Sequence, residues 1–478
     1  MLLPPGECAC RIGKDRTRQH RMLWKNAPQT LGSNENFFLT PIFIQNYNQL
    51  SYLQKLLNWL LAAGYKNICI IDNNSTYDRL LQFYTDAETN HAVKLVRRNT
   101  NGSRATLWEE QVLERFGVTG PFVYTDSDIV PEEFCPADLV GRLAGHLRNH
   151  PQIFKAGLGL RIDDLPAHYR FRSQVVAWEK QFWMAPVSRG VFLSQIDTTF
   201  GLYRPNSAFA MSPALRTGYP YLGRHEPWYQ DSENLTDEQR YYVDELEKTA
   251  RGHWSRTRLP QWLEAEAAKR ENSNVKLLHL GCGNDIMPGW INLDRAATAG
   301  ADLVFDLETC AEARLPIESD SVDGIYMCHA FQQIEAVVPM MQELHRVAKA
   351  DARFIIRLPH GASDNAVADP AQRHRYLPDS FSYFAQPAHA AKDDDYAGDW
   401  SVKRVKLVVG QGLIDAECAS SVLERASRER NLVEEMIVEL RCVKPPRPRQ
   451  HQMLECPAPT ISTTGFDPES VFQAHCSP

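Results

Sequence analysis

The chain has 478 residues, of which 43% are hydrophobic and 23% charged, and its formal net charge is -7 at pH 7. That length exceeds the size at which one hydrophobic core usually keeps growing, so we expect two domains. An acidic chain lacks the positive charge that attracts a phosphate backbone, so nucleic-acid substrates are disfavoured.

Targeting and redox signals favour the cytoplasm. No apolar run is long enough to span a bilayer, so no transmembrane segment is predicted, and the first residues lack the apolar stretch of a signal peptide. The eleven cysteines form no CxxC pair, and most of them lie in apolar, strand-like runs. We interpret them as reduced thiols of a cytoplasmic protein, whose association with the inner membrane would depend on partners.

The order of elements along the chain predicts two α/β domains. Residues 1–35 are basic and without a period, which is typical of a disordered arm. Strand-like and helical runs alternate over 36–235 and again over 275–444, which predicts a parallel sheet in each. The polar residues 236–274 between them are a predicted helical linker, and the proline-rich residues 445–478 are a predicted disordered tail.

The second domain opens on a strand that runs into closely spaced glycines. Its apolar residues 275–280 lead into Gly281 and Gly283, the next strand ends at Asp294, and a third ends at Asp306. Glycines at such a turn let the backbone approach a ligand. A carboxylate at the end of the next strand can accept hydrogen bonds from both ribose hydroxyls. The spacing predicts a nucleotide-cofactor site.

Five stretches of this domain follow one another as Leu278–Gly283, Gly289–Asp294, Asp302–Leu307, Leu315–His329 and His345–Pro359. With them the domain resembles the class I S-adenosylmethionine-dependent methyltransferases over about the last two hundred residues. The resemblance implies S-adenosylmethionine as cofactor and a seven-stranded Rossmann-like sheet, with 401–409 and 436–443 as candidate final strands.

The same resemblance implies roles for single residues. Gly281 and Gly283 would face the methionine part of the cofactor, Asp294 would hold its ribose, and Asp306 with Leu307 would border its adenine. A nucleotide domain of the same fold that does not methylate is the alternative.

The acceptor side departs from the family pattern. Family members commonly carry Glu-His after the fourth strand, where this chain has Gln332 and Gln333, so a base or metal role there is in doubt. Residues 359–384 resemble a loop of relatives that act on polysaccharide and natural-product substrates. Three candidates near the acceptor, each equally well explained as a structural hydrogen-bonding group, are His329, His360 and Asp364.

In the first domain, Asp126 and Asp128 follow directly after the buried strand 121–125. Two such carboxylates at a strand end can bind a hard divalent cation, which can neutralise a departing diphosphate. With this pair the domain resembles the GT-A glycosyltransferases, and most closely their inverting family 2. The resemblance spans residues 37–229, and its other motifs are residues 40–64, 70–75 and 99–105.

This second resemblance implies a nucleotide-sugar site. Asp126 and Asp128 would hold Mg²⁺ or Mn²⁺, Asp72 would contact the base of the donor, and Asn101 and Ser103 would line the nucleotide pocket together with Asp126.

The metal site and the catalytic base each have a further candidate. A late histidine often completes the metal site in such enzymes, and we predict His225 for this role, with a structural histidine as the alternative. An inverting transfer needs a base for the acceptor hydroxyl proton, and we predict Asp197, with Glu179 and Glu226 behind it. A structural ion pair is the other explanation for each carboxylate.

The two predicted sites favour a bifunctional transferase. One domain would add a sugar from a nucleotide sugar donor, and the other would methylate a glycan or glycolipid acceptor, in bacterial surface polysaccharide biosynthesis. The alternative is a methyltransferase whose N-terminal domain is a non-catalytic glycan-binding or scaffold module. The donor sugar, the acceptor and the methylated atom are not predicted.

Overall fold

The computed structural model describes residues 28–89, 93–248, 254–259, 261, 264–265, 267–268, 275–298, 300–391 and 395–463. Most of the predicted arm, part of the predicted linker and the end of the predicted tail lie outside the described residues. Of the helices in the described ranges, none has both the length and the apolar character needed to cross a membrane.

Strands and helices alternate through the described chain. The strands are β1 (Ile42–Asn46), β2 (Ile68–Asp72), β3 (Lys94–Arg97), β4 (Phe122–Asp126), β5 (Ile129–Pro131), β6 (Lys155–Leu160), β7 (Pro186–Ser188), β8 (Val191–Ser194), β9 (Gly201–Tyr203), β10 (Ala214–His225), β11 (Leu277–Leu280), β12 (Ile291–Asp294), β13 (Leu303–Val304), β14 (Val322–Cys328), β15 (Ala348–Pro359), β16 (Trp400–Val408), β17 (Glu435–Cys442) and β18 (Thr460–Ser462). The α-helices are α1 (Ser51–Ala63), α2 (Asp78–Thr89), α3 (Thr106–Glu109), α4 (Val112–Phe116), α5 (Leu139–Asn149), α6 (Arg172–Lys180), α7 (Asp237–Glu247), α8 (Val337–Val347), α9 (Gln411–Ala416) and α10 (Ala419–Ala426).

The chain forms two compact units that interleave in sequence. Unit 1 comprises 1–158, 195–215 and 221–257. Unit 2 comprises 159–194, 216–220 and 258–478. The segment that carries α6 and the β7–β8 hairpin therefore belongs to unit 2, although it lies within the range 36–235 that the sequence pattern groups as one domain.

Within unit 1, part of the first sheet has the strand order β3-β2-β1-β4-β9-β6. The ladders joining β1 to β2, β1 to β4 and β2 to β3 are parallel, as the alternating pattern predicts. Strand β9 runs antiparallel to β4 and to β6. The carboxyl ends of β1, β2 and β4 consequently lie side by side, which places Asn46, Asp72 and Asp126 at one edge of the sheet.

Unit 2 contains a sheet with the order β13-β12-β11-β14-β15-β17-β16-β18. Strands β11 to β15 pair in parallel, and β17 is antiparallel to β15 and β16. The predicted final strands 401–409 and 436–443 correspond to β16 and β17, each offset by one residue. This is the Rossmann-like arrangement that the motif series predicts.

Strand β18 extends this sheet beyond the seven predicted strands. It pairs in parallel with β16, from Lys406–Thr460 to Val408–Ser462. Upstream of it, the guanidinium of Arg447 pairs at 2.8 Å with Asp399, which is fully buried. The prediction of disorder from residue 445 onward is therefore wrong for the described residues 445–463, because an ion pair and a strand ladder fix a segment whose composition alone favours disorder.

Hydrophobic packing holds the sheet β11–β18 of unit 2 in place. Helix α8 contributes Met340, Met341 and Leu344, all fully buried, to a core that also contains Phe331 and Trp400. Burial of side chains of this size stabilises a fold by about 1.5–3 kcal/mol each. The core fixes the strand ends that carry the candidate site.

Candidate active sites

The turn after β11 is the glycine turn of unit 2. Gly281 and Gly283 have φ angles of 63° and 53°, a left-handed conformation that glycine adopts without steric cost. A Cβ on Gly281 would stand 2.5 Å from the Cβ of Ala330, so that position has no room for a side chain. The amide of Gly283 donates to Oδ2 of Asp294 at 2.8 Å, and the amide of Ala296 donates to Oδ1 at 3.0 Å. The structure thus brings the predicted glycines and Asp294 together at adjoining strand ends.

Asp306 and Leu307 lie one strand further along. Asp306 is exposed at the end of β13, and its Oδ1 accepts the amide of Glu308 at 3.1 Å. Leu307 is 5% exposed and belongs to the core of unit 2. The side chain of Asp306 is therefore the accessible group of this pair.

His329 follows β14 and takes part in a charged network. Its φ angle of 53° is left-handed, which is uncommon for a residue with a side chain. Nε2 of His329 lies 3.0 Å from Oε1 of Glu435, and Arg357 lies 2.5 Å from the other oxygen of that carboxylate. Burial alone would raise the pKa of Glu435, but the His329 hydrogen bond and the Arg357 charge bring it down to about 2. An ionised carboxylate therefore orients the imidazole.

The other two acceptor-side candidates have structural partners. His360 is 4% exposed, its Nδ1 accepts the amide of Ala362 at 3.3 Å, and burial lowers its pKa. Asp364 is exposed and pairs with Arg430 at 2.6 Å. Of the three predicted residues, His329 is the one that borders the glycine turn, because its neighbour Ala330 faces Gly281.

Gln332 and Gln333 hold the turn behind His329. Both side-chain amides donate to the His329 carbonyl, at 3.0 and 3.3 Å. The backbone carbonyl of Gln332 accepts from the amides of Arg373 and His374. A cavity of about 630 Å³ adjoins this region between residues 335–339 and 374–384.

In unit 1, Asp126 ends β4 and is hydrogen bonded on both its backbone and its side chain. Its amide donates to the Thr198 carbonyl at 2.8 Å, and its Oδ2 accepts the Thr198 hydroxyl. Burial and the charges of Asp128 and Asp197 raise the pKa of Asp126 well above its usual range, against the opposing effect of Thr198 and Arg104. The negative charges of Asp128 and Asp197 thus act against ionisation of Asp126.

Asp128 and His225 meet in the same region. Nε2 of His225 lies 3.6 Å from Oδ2 of Asp128, and Gln49 Nε2 donates to the same oxygen at 3.4 Å. Burial lowers the pKa of His225 to about 3, so its imidazole stays neutral near pH 7, the form that binds metals. The structure thus joins His225 to the predicted pair through Asp128.

Asp72 organises the end of β2. The carboxylate is fully buried, and it accepts the Tyr84 hydroxyl at 3.0 Å and the Ser75 amide at 3.1 Å. Ser103 is exposed, and its hydroxyl lies 2.5 Å from Oε1 of Glu109. Asn101 is partly buried in the loop that precedes α3.

Each candidate base for sugar transfer is ion-paired. Asp197 pairs with Arg104. Glu226 pairs with Lys55 at 2.5 Å. Glu179 belongs to unit 2, where its buried carboxylate pairs with Arg216 at 2.7 Å. The sequence analysis gave a structural ion pair as the alternative explanation for each of these carboxylates, and each of them forms such a pair.

The residues present fit the implied metal ion of unit 1 and the implied cofactor of unit 2 to different degrees. Among the described residues, no group of three or more His, Cys, Asp and Glu side chains is arranged to hold a metal ion. The donor types of Asp126, Asp128 and His225 nevertheless suit a divalent cation. In unit 2 the left-handed glycines and the Asp294 carboxylate suit an adenosine cofactor.

Sequence reasoning missed residues at both sites. Gln49 of unit 1 could have been found from the polar run 45–49 that follows the apolar start of β1. Glu435 of unit 2 gave no signal, because nothing in its local sequence relates it to His329.

Comparison with known proteins gives a match to one family. Residues 273–356, a range that includes β11 to β14 and part of β15, match the family model described as methyltransferase domain. No curated protein matches the chain. A segment of the C-terminal part of the chain is therefore similar to the methyltransferase domain family, in agreement with the resemblance.

Solved structures show more distant likenesses. An S-adenosylmethionine-dependent methyltransferase from Mesorhizobium loti is 15% identical with a TM-score of 0.24, over 35% of this chain and 91% of that one. One from Archaeoglobus fulgidus is 15% identical with a TM-score of 0.25, over 42% and 99%. A mannosyltransferase from Pyrobaculum calidifontis, in complex with GDP-mannose and Mn²⁺, is 11% identical with a TM-score of 0.27, over 53% and 82%. Likenesses at this level assign no function to the chain.

Proposed function

We propose that unit 2 transfers the methyl group of S-adenosylmethionine to an acceptor. The observation that carries this proposal is the hydrogen bond between Gly283 and Asp294, which fixes an acidic side chain beside a left-handed glycine turn. The family match of residues 273–356 supports it.

We expect different residues at this edge of the sheet to bind different parts of the cofactor. Gly281 and Gly283 leave space for the methionine part, because neither carries a side chain. Asp294 would accept the ribose hydroxyls on the lone pairs that the amides of Gly283 and Ala296 leave open. Asp306 is exposed shortly after β13, and its carboxylate would accept a hydrogen bond from the amino group of the adenine.

The bound cofactor supplies a methyl group that is already activated by the positive charge on its sulfur. The chain has to orient the acceptor and remove its proton. His329 is placed for the second task, because Nε2–H donated to Glu435 leaves the lone pair of Nδ1 for an acceptor hydroxyl. Glu435 then stabilises the imidazolium that forms.

Calorimetry with S-adenosylmethionine tests the proposal directly, since saturable binding by the intact chain is required. Loss of binding on Asp294→Ala would place the cofactor at the glycine turn. A chain that does not bind the cofactor would exclude the activity.

We propose glycosyl transfer as a second activity, in unit 1. It rests on Asp126 and Asp128, at and just after the end of β4, and on His225, whose Nε2 lies 3.6 Å from Oδ2 of Asp128. Mg²⁺ or Mn²⁺ bound by them would neutralise the diphosphate of a nucleotide sugar. Asn101 and Ser103 would border the nucleotide, and Asp72 would hold the loop that receives its base.

Asp197 is the proposed base of this transfer. Arg104 pairs with its carboxylate, and an acceptor hydroxyl would have to displace the guanidinium in order to reach it. A glycan or glycolipid acceptor of a bacterial surface polysaccharide suits both proposed activities, and the cytoplasm is the proposed location.

The alternative for unit 1 is a glycan-binding or scaffold module without catalysis. A screen of nucleotide sugars for Mn²⁺-dependent hydrolysis separates the two, because a binding module has no use for a metal at Asp126 and Asp128. Hydrolysis that disappears in Asp126→Asn would support transfer, and its absence for every donor would favour the module.

A further inference from the structure

The β7–β8 hairpin is anchored to the methyltransferase-type sheet within unit 2. Trp290, at the start of β12, donates its Nε1 hydrogen to the carbonyl of Trp183 at 2.8 Å, and the Trp183 side chain is fully buried. Arg357 of β15 donates from Nη1 to the carbonyl of Val187 at 2.6 Å. These two hydrogen bonds, one at the amino end of β12 and one near the carboxyl end of β15, hold the segment that carries the hairpin against the sheet.

The turn of the hairpin is held by a residue that follows the glycine motif. The amide of Gly190 donates to Oδ2 of Asp285 at 3.1 Å, and the carbonyl of Gly190 accepts the amide of Gly218 at 2.8 Å. Gly190 has a φ angle of 63°, which suits the tight turn. Asp285 is 5% exposed, so the contact is shielded from water.

Arg189 precedes this turn and reaches the glycine motif. Its Nη2 lies 3.4 Å from the position that a Cβ on Gly283 would occupy. Burial lowers the pKa of His279, and the charge of Arg189 lowers it further. Burial raises the pKa of Asp285, and the charge of Arg189 opposes this rise. Arg189 therefore acts on residues that precede and follow the glycine turn in the chain. The side chain is exposed, so a bound molecule has access to the guanidinium.

On the basis of the proposed methyltransferase function, we propose that Arg189 binds the α-carboxylate of the methionine part of S-adenosylmethionine. The methionine part faces the glycines, and its carboxylate needs a counter-charge that the acidic Asp294 and Asp285 do not supply. A guanidinium binds a carboxylate through two parallel N–H···O bonds, and it remains charged throughout the physiological pH range.

The cofactor site of unit 2 would be completed by residue 189, which lies far upstream of the segment that matches the methyltransferase family. Asp285 acts as a positioning residue in this arrangement, because it holds the Gly190 amide and thereby the turn that presents Arg189.

Calorimetry on the full chain tests this inference with two ligands. S-adenosylmethionine carries the carboxylate, whereas 5′-methylthioadenosine has the same nucleoside and a thioether without it. Arg189→Gln should weaken binding of S-adenosylmethionine by about 10-fold to 100-fold, the range for a lost charged hydrogen bond, and leave 5′-methylthioadenosine within about twofold. Arg189→Lys should lose less affinity for S-adenosylmethionine than Arg189→Gln, because lysine keeps the positive charge.

Arg161→Gln is the matched control, since Arg161 lies in the same segment and pairs with Asp163 at 3.0 Å. It should leave both affinities unchanged. Equal weakening of both ligands by Arg189→Gln, or no weakening, would overturn the inference while the proposed function stands. A wild-type chain that binds neither ligand would overturn the proposed function and this inference with it.

Discussion

The amide of Gly283 donates a 2.8 Å hydrogen bond to Oδ2 of Asp294, and so joins the turn after β11 to the end of β12. A charged acceptor makes this bond stronger than a neutral one, and it sets the acidic side chain against the glycine turn. The predictions for unit 2 depend on this geometry.

Gly281→Ala should remove cofactor binding and destabilise unit 2. A left-handed φ costs a residue with a side chain roughly 1–2 kcal/mol, and the new Cβ would stand 2.5 Å from Ala330. Thermal denaturation and calorimetry measure the two effects. Gly412→Ala is the control, because a Cβ at Gly412 meets nothing within 4 Å and the change should be neutral or stabilising. Equal behaviour of the two variants would refute the role of the turn.

His329→Gln should lower kcat for methyl transfer by about 10²-fold to 10⁴-fold, the usual contribution of a general base, with little change in cofactor affinity. Glu435→Gln should also lower kcat, because the imidazolium loses its ionised partner 3.0 Å away. The measurement is kcat against pH with a separately determined affinity for S-adenosylmethionine. A His329→Gln enzyme with unchanged kcat would remove this residue from the mechanism.

The free energy of unfolding of Asp285→Asn should increase relative to that of the wild type as the pH rises. Burial raises the pKa of Asp285 to about 6, against the opposing effects of Arg189 and the Gly190 amide, whereas an unfolded Asp ionises near 3.9. The native state binds the extra proton between these values, so the wild type loses about 3 kcal/mol of stability as the pH rises from about 4 to 6.

Urea denaturation at pH 4 and at pH 7 measures this effect. The difference in unfolding free energy between Asp285→Asn and the wild type should grow by about 2–3 kcal/mol between the two pH values. A difference that is constant, or that shrinks with rising pH, would show that Asp285 is not held in the protonated form by burial.

Asp126→Asn should abolish Mn²⁺-dependent hydrolysis of nucleotide sugars and leave S-adenosylmethionine binding intact. The amide is a weaker ligand for a hard cation than a carboxylate, and the change also removes one of the charges that repel one another in this site. Asp138→Asn is a control within unit 1, since Asp138 contacts Tyr221 on the surface. Hydrolysis that persists in Asp126→Asn would assign the metal to other residues.

Local patterns in the sequence predict much of unit 2. The apolar run before Gly281 and the acid at the end of each following strand identify β11, β12 and β13, because such patterns depend only on neighbouring residues. The place of β18 in the sheet was not predicted, because it depends on a ladder with β16 and on the Arg447–Asp399 pair.

Contacts between distant parts of the chain were the least predictable. Arg189 lies in a stretch that the strand and helix pattern groups with the first domain, and only the anchoring of its hairpin through Val187 and Gly190 places it at the glycine turn. Similarly, the link of His225 to Asp128 follows from the course of β10, which spacing in the sequence does not specify.

Titration of the full-length chain with S-adenosylmethionine tests the central claim most directly. We expect saturable binding at one site per chain, weakened about 10-fold to 100-fold by Asp294→Ala, because the variant loses the carboxylate that accepts the ribose hydroxyls. Asp323→Asn, at the opposite end of the strands where Asp323 pairs with Lys349, should bind like the wild type. Absence of binding by the wild-type chain, or an Asp294→Ala variant with unchanged affinity, would contradict the account.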